Sequence, residues 1–134
     1  MKRIHFIFGL LVFIVFLLTG QYMDKVHNHL DGIEDGVRLL YRTRHIFILM
    51  ASLIHIVLGL YYEILIGRWQ RRVQTTGSLL LVAGTILLII AFIDEPGKRD
   101  MEAPYTYWGM HVILLGTIFH VMSVLKEKRN KSAS

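Results

Sequence analysis

Residues 77–93 read GSLLLVAGTILLIIAFI, seventeen positions without a charge, closed off by Asp94 and Glu95 and preceded at a short distance by Arg68, Arg71 and Arg72. A soluble core helix would interrupt such a run with a polar face, and the run approaches the roughly 20 residues that cross a bilayer core. Working outward, the chain repeats the pattern at 4–22, 45–66 and 105–125, each block bounded by short charged stretches. Ten-residue alternating segments are absent from the sequence. Bilayer hydrocarbon tolerates only helices or closed barrels, so the spans are read as helices.

The expected architecture is an all-α, antiparallel bundle of four transmembrane helices in a single membrane domain of 134 residues, with a polar tail at 126–134. Val26, Leu30, Ile33, Val37 and Leu40 recur at helical steps in the first connection, which adds the expectation of either a helical extension or a short interfacial helix after the first span. The second connection, with Asp94, Glu95, Pro96 and Gly97, is expected to stop the third helix, and Pro104 suits the first turn of the fourth. The first block resembles a signal sequence in its basic start, but Leu18, Thr19 and Gly20 make a poor cleavage site, and it is read as an uncleaved span.

The formal charge of +5 sits beside the spans and not on a separate domain, so topology, and not nucleic acid, accounts for it. Lys2 and Arg3, the three loop arginines, and Lys126, Lys128, Arg129 and Lys131 share one side, nine basic residues against six. The positive-inside rule places both termini in the cytoplasm, as in a bacterial inner-membrane protein. Tyr61, Tyr62 and Trp69 mark that boundary, and Tyr105, Tyr107 and Trp108 the other. Arg38, Arg42 and Arg44 beside the second span suit lipid phosphates or interface anchoring. Cysteine is absent, which removes disulfides, thiolate ligands and thiol nucleophiles.

Seven histidines are the feature most suggestive of chemistry, and His55 and His120 fall well inside spans. Ionisable groups at that depth usually face a bundle interior. On the second helix His45, Ser52, His55, Gly59 and Glu63 share a narrow polar stripe, and on the fourth Gly109, Gly116, His120 and Ser123 do the same. Gly77, Gly84 and Ala91 give the third helix a small-residue seam for close packing. An imidazole from each of two facing helices is the arrangement that holds six-coordinate haem b, with Gly59 and Gly116 leaving space beside the ring. The plainer alternative, which weighs more, is that both histidines are hydrogen-bonded packing residues.

Glu63 is a candidate acceptor in a proton relay with His120, against the commoner role of a snorkelling carboxylate. His27, His29 and Asp31 concentrate zinc or copper ligands in the first connection, although the spacing matches no strong motif and a solvated acidic face explains it as well. No phosphate-cradling loop or catalytic motif occurs. The expectation is therefore a non-enzymatic accessory subunit that binds a larger membrane partner or a second copy of itself. The alternative is a haem-binding, electron-transfer or quinone-linked membrane subunit.

Overall fold

The structure, a computed structural model, describes residues 1–61, 63, 65–99 and 102–132, with side chains as far as Lys126. Four helices, α1 (Lys2–Lys25), α2 (Asp35–Tyr61), α3 (Arg68–Lys98) and α4 (Pro104–Ser132), account for nearly all of it. A three-residue 3-10 turn at Asn28–Leu30 follows α1. Each helix is long and apolar enough to cross a membrane. In hydrocarbon a helix is the structure that satisfies every backbone group internally.

Neighbouring helices are antiparallel. Gly59 near the end of α2 lies against the backbone of Phe6 at the start of α1, while Gly20 near the end of α1 meets the ring of His45. The closest packing is within the hairpins α1/α2 and α3/α4; α2 against α3 joins them. The seam expected on α3 is the means of approach in the second hairpin. A Cβ added to Gly77 would come within 2.9 Å of the Gly116 carbonyl oxygen, and one on Gly84 within 2.9 Å of the Gly109 oxygen. Ala91, the third small residue of the stripe, is fully buried. Lipid is as apolar as leucine, so this van der Waals closeness, with hydrogen bonds, is what holds membrane helices together.

Large apolar residues cover the outside. On α1, Ile4, Ile7, Leu11, Ile14 and Leu18 are each more than half exposed. Four such faces on one small bundle identify an integral membrane protein, because water would not tolerate an apolar surface of that extent.

Several boundaries differ from the sequence reading. The periodic apolar residues of the first connection do not form a separate interfacial helix: α2 starts ten residues before its expected span, and Leu30, Val37 and Leu40 are buried over the end of the bundle. Pro96 does not stop α3, which runs to Lys98 with Arg99 as a left-handed cap (φ 54°). Proline lacks an N–H, so the Phe92 carbonyl loses its helical donor there. Pro104 opens α4 as expected, and α4 continues through the tail to Ser132. Tyr62, read as a boundary aromatic, lies outside the described residues, as do the side chains of Lys128, Arg129 and Lys131. The termini of α1 and α4 and the α2–α3 connection form the arginine-rich end of the bundle.

Candidate functional site

One glycine on each helix allows α1 and α2 to come close: Gly9 of α1, whose absent side chain leaves room for the backbone at Ile56, and Gly59 of α2 opposite Phe6. This approach brings His5 of α1 against His55 of α2. Their rings stack with centroids 5.0 Å apart and planes 25° from parallel, and the two Nδ1 atoms are 2.8 Å apart, a hydrogen bond. His5 Nε2 lies 2.9 Å from Ser78 Oγ on α3, and the same hydroxyl lies 3.1 Å from His120 Nε2 on α4. At the other end His55 Nε2 lies 3.1 Å from Thr85 Oγ1. Thr85, His55, His5, Ser78 and His120 thus form one unbroken chain of hydrogen bonds through all four helices. His5 and His55 are 1% exposed, Ser78 not at all, and His120, at 7%, is the member nearest a surface.

Counting protons defines what this chain can do. Ser78 Oγ also donates to the Gln74 carbonyl (3.1 Å) and Thr85 Oγ1 to the Leu81 carbonyl (2.8 Å), yet each hydroxyl has one hydrogen. Two neutral imidazoles bring one N–H each, and one of these must lie between the Nδ1 atoms. If His5 supplies it, Ser78 must turn from its carbonyl and donate to His5 Nε2; if His55 supplies it, Thr85 must donate to His55 Nε2. The two arrangements carry the same number of hydrogens and differ in the tautomer of both rings and in which hydroxyl has turned from its carbonyl. With one extra proton on the pair, His5 and His55 each donate outward, the third hydrogen is shared between the Nδ1 atoms, and both hydroxyls keep their carbonyls. Hydrogen bonds to a charged group stabilise by about 1.5–3 kcal/mol each. Against that, a charge in mid-helix costs about 2.5–3.5 kcal/mol on insertion scales. The two terms oppose each other.

Below His120, towards the arginine-rich end, a groove of about 470 Å³ is lined by Glu63, Gln74, His120 and apolar residues of α2 and α4. Gln74 Nε2 donates to the Glu63 carbonyl (2.8 Å) and fixes the connection beside it. A second groove, about 580 Å³ and almost wholly aliphatic, opens between α2 and α4 with His120 and Thr117 at its edge.

The remaining sequence candidates fare differently. Ser52 is buried and donates to the Gly9 carbonyl (3.0 Å), and Ser123 to that of His120 (2.7 Å). The pair His55 and His120 does not fit haem b: both ring nitrogens of His55 are hydrogen-bonded, and the space expected beside Gly59 and Gly116 is filled by Phe6 and by Gly77 and Leu81. His27, His29 and Asp31 do not converge. His29 pairs with Asp24, His27 packs against the rings of Tyr22 and Tyr41, and no group of three ligands suited to a metal occurs among the described residues. Arg44 is no lipid anchor, since it is buried with Nε 2.8 Å from the Glu95 carboxylate. Glu95 in turn accepts from the Thr106 backbone N–H (2.8 Å) and hydroxyl (2.6 Å), capping α4 from α3. His45 bonds Thr19 (2.8 Å) and His111 is exposed.

Comparison with protein-family models, curated proteins and solved structures gives no match. The chemistry must be argued from the site.

Sequence reasoning missed His5, Ser78 and Thr85. His5 follows Lys2 and Arg3 and looks like an interfacial residue, though its four-residue spacing to Gly9 in a helix of large side chains was the available signal. Ser78 and Thr85 follow Gly77 and Gly84 directly, so hydroxyls and glycines share the seven-residue period of α3.

Proposed function

We propose that this chain is a non-enzymatic accessory protein of a membrane assembly that takes up and relays protons through its buried imidazole chain. The observation that carries the reading is the continuous path Thr85, His55, His5, Ser78, His120, with one hydrogen fewer than its bonds require when all imidazoles are neutral. Glu63 belongs to the same function as a carboxylate in the groove that reaches His120. The basic excess of the arginine-rich end favours a cytoplasmic position for that end and both termini, in the inner membrane of a bacterium.

The test is nitrogen NMR of the protein in nanodiscs. A scalar coupling across the Nδ1 to Nδ1 hydrogen bond of His5 and His55 is expected, lost in His5→Asn and kept in His111→Asn. Separate imidazoles with no coupling in the native protein, and no proton uptake on acidification, sink the proposal.

The aliphatic groove between α2 and α4 favours a second component of the reading. α4 packs on α3 and only slightly elsewhere, so this groove offers an unfilled helix-sized face to a membrane partner or a second copy. Cross-linking from Leu53→Cys and Val121→Cys in membranes tests it: adducts with a second chain or a larger protein are expected, and exclusively unlinked monomer at native expression argues against.

A further inference from the structure

Resting on the relay just proposed, we infer that it is open at one end only: protons enter and leave through the groove beneath His120 and go no farther than Thr85, so that the chain loads and unloads a proton without conducting across the membrane. The entrance has polar residues: Glu63 is exposed, and Glu63 and Gln74 share the groove wall with His120. A proton from water in this groove binds the His120 ring as the Nε2 hydrogen moves to Ser78; the Ser78 hydrogen moves to His5 Nε2, and the His5 Nδ1 hydrogen to His55. One N–H bond forms at His120 for each O–H broken in water, and the pair His5 and His55 ends one proton richer.

The far end is closed. Thr85 Oγ1 donates to its own helix at Leu81. Beyond it, Ile48, Ala51, Leu88 and Ala91 are at most 1% exposed. The next buried charges in that direction are Arg44 and Glu95, paired with each other and ten residues along α3, a rise of about 15 Å. Proton transfer needs a donor and an acceptor within hydrogen-bond reach, and the buried hydroxyl of this interval, Ser52, is committed to the Gly9 carbonyl (3.0 Å) amid packed hydrocarbon. The titratable and charged groups that face the loaded pair are His120 from α4 and the amino terminus of α1; α3 contributes the hydroxyls of Ser78 and Thr85, and Glu63 shares the groove with His120.

Such an arrangement fits a proton-loading element better than a channel. The groove at the entrance connects through His120 to the aliphatic groove of the partner face, so loading is felt where a partner would sit.

The test uses the full chain in liposomes. With an interior pH dye and a valinomycin-clamped gradient, no steady proton flux above protein-free vesicles is expected, whereas an acid jump in nanodiscs is expected to load about one proton per chain more in the native protein than in His5→Asn/His55→Asn. Because the chain lacks cysteine, the entrance can be blocked selectively: a bulky maleimide on Glu63→Cys should remove the fast phase of uptake, and one on Asn28→Cys should not. Steady flux in the native protein, or block from Asn28→Cys instead of Glu63→Cys, overturns the single entrance while leaving the relay standing. Equal uptake by the native protein and the double variant overturns the relay itself.

Discussion

Ser78 is the hub at the residue scale, since one hydroxyl serves imidazoles from α1 and α4. Removing it leaves two buried ring nitrogens without that partner, and a buried polar group left unsatisfied costs about 1–3 kcal/mol. Ser78→Ala is therefore expected to lower stability by about that amount in detergent unfolding, while Ser78→Thr keeps the hydroxyl and recovers most of the uptake signal. Glu95 carries a larger penalty. Glu95→Gln leaves Arg44 buried opposite a neutral amide, and loss of one partner of a buried ion pair costs about 3–5 kcal/mol; a double variant Arg44→Met/Glu95→Met should be less destabilised than Glu95→Gln, and equal losses would show that the cost does not come from an unpaired Arg44. Of these residues, the sequence betrayed only those deep inside an apolar run. His55 and His120 stand out against hydrophobic neighbours, but His5, Arg44 and Glu95 sit near charges at span edges, where anchors are common. Their burial depends on which helix covers them, and that is a tertiary fact.

At the scale of the element, hydropathy located four helices because lipid demands long apolar segments, and the glycine seam of α3 was visible as a seven-residue period. The helix ends were less legible. α2 and α3 extend well past their apolar blocks, since Val37, Leu40, Gln70 and Gln74 are buried by neighbouring helices and not by lipid. Hydropathy windows do not register that kind of burial. Two glycines of α3 separate packing from propensity. Gly84→Ala drives a methyl to within 2.6 Å of Ile113 and 2.9 Å of the Gly109 oxygen, and overpacking of this kind costs about 1–3 kcal/mol. Gly97 has nothing within 4 Å, so Gly97→Ala should be neutral or raise stability by up to roughly 1 kcal/mol. Thermal unfolding of the two variants side by side checks both signs.

For the whole molecule, the proposed orientation rests on the basic excess of one end, and the absence of cysteine makes it simple to test. In intact cells an impermeant maleimide is expected to label Asn28→Cys and to spare Arg72→Cys; the reverse pattern would invert the topology. The fold divides into two tightly seamed hairpins joined through α2 and α3. His5 and His55 belong to the first hairpin, Ser78, Thr85 and His120 to the second. Neither half holds a complete path. The hydroxyls that extend the His5–His55 bond come from the second hairpin, so the proposed relay is complete only where the two hairpins dock.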